Sequence, residues 1–278
     1  MKSIGFMQGR LSDVIGGVIQ EFPWKSWREE FVIANEIGVH TMEWTLDQKD
    51  LYLNPLMTEE GQEEIFRLSG QWSISIPSLT GDCFMQHPFW KSEGKKQEKL
   101  VVDFENIIQA CGALKIGIIV IPLVDNGSLE NLKQENALIH ILEKYTPLLK
   151  KLNVRIAFES DFSPQELSRF IGRLEFNVFG INYDIGNSAA LGFTPDHEFF
   201  HYGHRVINIH VKDRPLGMTT VPLGLGDADF ESVFMNLAKH NYKGSYILQT
   251  ARDDKGQHAQ VIKKYLSQTK LWIQQYES

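Results

Sequence analysis

Three residues of this 278-residue chain invite a chemical reading: Glu159, Asp184 and His210. Each lies at or near the end of a short apolar run, Val154–Ser160, Val178–Asp184 and Val206–Lys212, and they stand 25 and 26 residues apart. If these runs are neighbouring parallel strands joined by single helices, two carboxylates and an imidazole meet at one edge of the sheet. That donor set suits one divalent cation: Mn²⁺, Zn²⁺ or Co²⁺, with Mg²⁺ admitted by the oxygen-rich ligation. Without a cation the carboxylates repel and one tends to hold a proton. The plainer alternative is that each charge is met separately by a loop Lys, Arg or backbone amide. Charges at strand ends of a barrel are seldom idle, which favours the metal. Gln249 ends a further run, Ser245–Gln249. Its amide oxygen suits a neutral fourth ligand, and two carboxylates then balance a doubly charged ion. A Gln bonded to loop backbone explains it equally well.

The elements that must carry these residues recur along the chain. Eight short runs rich in Ile, Val and Phe are read as strands: Ile4–Gly9, Thr41–Trp44, Ser73–Ser78, Ile116–Val124, Val154–Ser160, Val178–Asp184, Val206–Lys212 and Ser245–Gln249. Several are apolar almost throughout, as in Ile116–Ile121, which suits strands buried on both faces. Between them lie helical stripes, such as Leu100, Phe104, Ile107, Ile108 and Cys111, or Phe230, Val233, Phe234 and Leu237. A third stripe runs from Leu138 to Leu152, where Pro147 should kink or shorten the helix. Ser163-Pro164-Gln165-Glu166 is a capping box with proline in the first turn, and Thr194-Pro195 and Asp229-Phe230 read as helix starts. Eight strand–helix units in 278 residues allow about 35 each, the size of an α/β, (β/α)₈ TIM barrel spanning residues 1–278 as one domain. The rival doubly wound sheet lacks its glycine fingerprint, because Gly16-Gly17 has no third glycine at dinucleotide spacing.

Composition narrows the partners. Lys and Arg number 28 against 35 Asp and Glu, a net charge of −7 that disfavours a nucleic-acid partner. No apolar run approaches membrane-spanning length, and the N-terminal apolar stretch is too short for a signal peptide. Cys83 and Cys111 are the two cysteines, read as small core residues in a reducing cytoplasm.

In its second half the sequence resembles the sugar isomerase/epimerase family built on a xylose isomerase-like barrel. Asp184-Ile185-Gly186-Asn187 is similar to that family's Asp-x-Gly-His/Asn turn. His210-Val211-Lys212-Asp213-Arg214 resembles its His-x-Lys-Asp segment, and Gly224-Leu225-Gly226 with Asp229-Phe230 its Gly-rich approach to the next helix. The resemblance implies that Glu159, Asp184 and His210 are three of four metal ligands. The fourth would be a strand-eight Glu that is Gln249 here. In ketose epimerases of this kind the strand-five and strand-eight carboxylates exchange protons on opposite faces of one carbon. An amide has no such proton chemistry, so Gln249 cannot take the second role. One-base chemistry remains: Glu159 moves a proton next to a metal-chelated carbonyl in a ketose, sugar phosphate or inosose. Loss of a β-hydroxyl would instead make a dehydratase, and loss of catalysis a binding barrel. Glu43 or Asp213 is a candidate replacement acid. An apurinic endonuclease shares the fold, but its extra His ligands are replaced by Glu43 and Ser78.

Around this centre Lys212 is assigned with Glu159 to catalysis. Asn187, Arg214, Glu43, Trp44 and His87 are assigned to a sugar or sugar-phosphate substrate. Phe84, Phe89 and Trp90 either wall the pocket or pack the core beneath it. Gly224 and Gly226 either form an anion nest or make a tight turn. His197, His201 and His204 are placed on or near a surface helix after the sixth strand, away from the mouth. Relatives of this kind often form homo-oligomers, and the sequence carries no interface signal of its own.

Overall fold

In a computed structural model, which describes residues 2–14, 20–253 and 255–276, eight parallel strands close into a ring in sequence order. The strands are β1 (Ile4–Met7), β2 (Thr41–Thr45), β3 (Ser75–Thr80), β4 (Ile118–Leu123), β5 (Arg155–Ser160), β6 (Phe179–Asp184), β7 (Val206–Val211) and β8 (Tyr246–Leu248). Around them run α1 (Trp27–Glu36), α2 (Glu59–Trp72), α3 (Asp82–Gln86), α4 (Gly94–Leu114), α5 (Leu132–Leu152), α6 (Pro164–Ile171), α7 (Ile185–Leu191), α8 (Pro195–Tyr202), α9 (Phe230–Lys239) and α10 (His258–Tyr276). The (β/α)₈ expectation holds, and Gly16-Gly17 lies outside the described residues. Among the described residues no helix is long and apolar enough to cross a membrane.

Strand alternation explains what points where. On β2, Met42 and Trp44 turn outward into the strand–helix core, while Thr41, Glu43 and Thr45 turn inward. Trp44 is fully buried against Phe22 and Trp27, with ring centroids 5.4 and 5.8 Å away. On β6 and β7 the same rule sends Tyr183, Ile209 and Val211 outward and pairs Asn182 with Asn208 and Asp184 with His210. The upper interior of this barrel is therefore polar, where such barrels usually stack branched aliphatic side chains.

Local signals account for most helix ends. Ser163 and Glu166 form the reciprocal capping box, and the Asp229 carboxylate accepts the Ser232 N–H. Pro147 neither shortens nor ends α5, which runs through it for 21 residues. Packing of the long apolar stripe outweighs the one backbone hydrogen bond that proline removes. The third strand starts later than its sequence suggests. Ser73 adopts a left-handed conformation (φ 55°) as the cap of α2, and β3 runs from Ser75 to Thr80, its end paired with both β2 and β4.

The loop after β1 is pinned from behind. Glu30 on α1 is fully buried and accepts the Gly9 N–H at 2.9 Å, the Leu11 N–H at 2.9 Å and the Ser12 hydroxyl at 2.9 Å. This carboxylate fixes the segment that carries Gln8 and Arg10 to the rim. Glu30→Ala strands those donors without water, and should lower folding stability by about 3 kcal/mol in chemical denaturation.

Candidate metal centre and cavity

Every residue of the centre is delivered by a strand end. Glu159 is the penultimate residue of β5, Asp184 the last of β6 and His210 the penultimate of β7. One ligand atom from each lies within 4.8 Å of the other two. His210 Nδ1 is 3.1 Å from Glu159 Oε2 and 3.8 Å from Asp184 Oδ2. The far side of the ring is engaged: Nε2 lies 2.7 Å from Glu43 Oε1. Glu43, fully buried, also accepts the Ser78 hydroxyl at 2.7 Å, the Thr80 hydroxyl at 2.6 Å and the Asn208 amide at 2.8 Å. Glu43 thus sits beneath the imidazole and holds it from below, outside the cavity lining.

The electrostatics are those of a cluster short of positive charge. Burial opposes the His210 charge, yet Glu43, Asp184 and Glu159 together raise its pKa well above the usual imidazole value. Burial likewise pushes Asp184 up, but Lys212, His210 and the Asn187 N–H outweigh it and hold the group at about 2. For Glu43 too, His210 and the Ser78 and Thr80 hydroxyls overcome burial and lower the pKa. Three carboxylates surround His210, and Lys212 Nζ adds one ammonium 3.1 Å from Asp184 Oδ2. A doubly charged cation would cancel that excess. The donor set and its charge fit such an ion, bound through Glu159, Asp184 and His210 Nδ1.

Glycines set the turns that make this possible. At Gly186 a Cβ would come within 2.7 Å of Lys212 Cγ, so the turn after β6 leaves room for Lys212 to reach Asp184. Lys212 Nζ also donates to Asn187 Oδ1 at 3.0 Å and Gln249 Oε1 at 3.3 Å. Asn187 is a hub: its side-chain amide donates to Glu159 Oε1 at 2.6 Å, while its oxygen also accepts from Arg214 at 2.7 Å.

Above the centre opens a cavity of about 430 Å³, in the range of small-molecule sites. Glu159, Asn187, His210, Lys212, Arg214 and Gln249 line it. Three of the residues assigned to substrate lie outside the lining: Glu43, which supports His210 from below, Trp44 and His87. Trp44 faces the helix layer, its indole N–H on Asn54, because it alternates with the inward Glu43. His87 is exposed at the end of α3 and is outside the lining. Phe84, Phe89, Trp90 and Phe104 pack against one another as core.

The glycine nest has an occupant from the chain itself. The fully buried Asp213 accepts the N–H groups of Gly224 (2.7 Å), Gly226 (3.0 Å) and Ala228 (3.2 Å). At Gly226 a Cβ would stand 2.2 Å from Asp213 Oδ1. Gly224 and Gly226 therefore bind no external anion, and Asp213 is a loop anchor that lies outside the cavity lining. His197 and His201 lie on α8, their Nε2 atoms 3.2 Å apart and away from the mouth. Several polar residues of the cavity were not legible as site residues in sequence, among them Gln20, in a loop without periodic signal, Asp82, which follows β3, and Asp125 and Asp161. The β-branched Thr80 before Gly81-Asp82 was the available sign that β3 extends that far.

The sequence pattern of xylose isomerase-like TIM barrels matches residues 31–273. The chain belongs to this family. Among its relatives, a putative L-ribulose-5-phosphate 3-epimerase, SgbU, of Escherichia coli K12 is 25% identical over 244 residues, 81% of this chain and 83% of that one. An inosose dehydratase of Clostridium botulinum is 26% identical over 156 residues, 48% of this chain and 52% of its own. A crystal structure of the IOLI protein with a bound zinc atom superposes with a TM-score of 0.77, at 14% identity over 99% of each chain. Within this family of epimerases and isomerases, the chain is an enzyme.

Glu43→Gln removes the buried charge under His210 while keeping its shape. In chelator-treated protein the His210 titration, followed by imidazole NMR, should then move down by about 1–3 pH units.

Proposed function

We propose that the protein is a divalent-metal-dependent carbohydrate isomerase or epimerase acting on a ketose, a ketose phosphate or an inosose. The observation that carries this reading is the convergence of Glu159, Asp184 and His210 within 4.8 Å of one another, with Glu159 and His210 lining the cavity. Similarity to a putative ketose-phosphate epimerase and to an inosose dehydratase supports the substrate class. The family neighbour with zinc supports a cation without deciding among Mn²⁺, Zn²⁺, Co²⁺ and Mg²⁺. The bound cation would polarise the sugar carbonyl and acidify the adjacent C–H.

The remaining work belongs to the side chains. Glu159 is the proton acceptor: it is nearly buried yet lines the cavity, and Asn182 and Asn187 hold one oxygen each, at 2.8 and 2.6 Å. Lys212 presents its ammonium to the same space and is suited to steady negative charge growing on a substrate oxygen. Arg214 and Asn187 offer donors to hydroxyl or phosphate oxygens once their mutual contact opens. Gln249 turns its carbonyl oxygen toward Lys212 and its NH₂ toward Gln20, an orientation suited to a neutral fourth ligand. Dehydration is the second reading, favoured by the dehydratase relative and by the amide at position 249.

Metal analysis of purified protein should find about one equivalent of a divalent ion. Chelation should abolish turnover, and resupply of the metal should restore it. Glu159→Gln should lower isomerase or epimerase turnover by at least about 10³-fold, and Asp184→Asn should weaken metal binding about 100-fold in calorimetric titration. Unchanged sugar turnover after complete metal removal would refute the assignment.

A further inference from the structure

Inversion of a carbon centre needs two proton carriers, and Glu159 is one. Neither replacement suggested by sequence faces the cavity: Glu43 is sealed beneath His210, and Asp213 anchors three backbone N–H groups outside the lining. Asp82 is different. It is two residues beyond β3, lines the same cavity as Glu159 and is 6% exposed. Around the closed ring β3 stands three strands from β6, the middle strand of the three that carry the metal ligands. Its carboxyl group therefore reaches the cavity from another side of the mouth.

Its hydrogen bonds tie it to the unusual residue at position 249. Gln20 Nε2 donates to Asp82 Oδ2 at 2.6 Å. Gln20 Oε1 accepts from Gln249 Nε2 at 2.9 Å and from Arg10 Nη2 at 3.2 Å. Two donors on that oxygen fix the Gln20 amide with its NH₂ toward Asp82. A carboxylate at 249 would set oxygen against oxygen and break the relay. The amide at 249 and the carboxyl at 82 are thus parts of one arrangement.

We propose that Asp82 is the second proton-transfer group of the cavity, donating to the face of the carbon opposite Glu159, so that the enzyme epimerises despite Gln249. This rests on the isomerase or epimerase reading above. Burial first, then the charges of Asp47 and Glu159, raise Asp82 to about 7, against the lowering effects of Gln20 and Arg10. Asp125, Asp161, Lys212 and Arg214 face the same space. A substantial share of Asp82 thus carries its proton at neutral pH, as a general acid requires. The Glu159 carboxylate takes the substrate proton, and the electrons of the broken C–H bond pass into an enediolate. Asp82 O–H then gives its proton to the same carbon from the other face, forming the new C–H bond. Glu159 ends protonated and Asp82 ionised, and exchange with water resets both without an oxidant or reductant.

The test uses metal-loaded enzyme in D₂O with L-ribulose 5-phosphate, then unphosphorylated ketoses and inososes, and NMR to follow deuterium uptake and epimer formation separately. Asp82→Asn should keep deuterium uptake within about threefold of wild type while epimer formation falls at least about 100-fold. Glu159→Gln should lose both. Wild-type epimerisation by Asp82→Asn would overturn the role of Asp82 alone. Loss of uptake and epimerisation together, at an unchanged thermal midpoint, would also overturn it, because Asp82 would then serve the first proton step. Wild-type enzyme that exchanges no sugar proton would instead remove the isomerase reading and this proposal with it.

Discussion

The site depends on one buried imidazole held between opposing carboxylates. Glu43 grips His210 Nε2 from inside the barrel, and Glu159 and Asp184 face Nδ1 from the mouth. Removing a charge of this kind from water is costly unless every lone pair finds a donor. Ser78, Thr80 and Asn208 supply donors to Glu43, while Asn182 and Asn187 give one to each oxygen of Glu159 and leave it lone pairs to spare. The polar interior is thus a support that leaves His210 one way to face, with one nitrogen turned to the cavity.

That support explains why neighbouring residues of similar type have different fates. Asp184 ends a strand, Asp213 and Asp82 each lie two residues beyond one, and their partners set the three apart. Asp184 is kept ionised by Lys212 and His210. Asp213 is spent on the backbone of the loop before α9. Asp82 meets an amide and further carboxylates, and its proton is held more tightly. Residue type sets what chemistry is available, and the donors around it select which form is present.

Gln249 illustrates the same point for a departure from the family pattern. Judged alone, it removes a base and argues against epimerisation. In its surroundings it is one member of the chain Lys212–Gln249–Gln20–Asp82, in which each amide is oriented by the next. Its effect on chemistry belongs to that chain.

Eight apolar runs and the helical stripes between them determined the barrel, because strand burial on both faces leaves a strong local signal. The same spacing made Glu159, Asp184 and His210 legible, since each ends a run and equal units bring equal ends together. Tertiary structure alone decided what lies inside and outside at those ends. Trp44 left the site because strand alternation pairs it oppositely to Glu43, and a one-residue difference changes the face. Glu43 became a support for a ring 167 positions away, a distance over which no local pattern carries information. Asp82 entered the cavity because β3 stays paired on both sides as far as Thr80, and closure of the ring carries that strand's end to the mouth shared with Glu159.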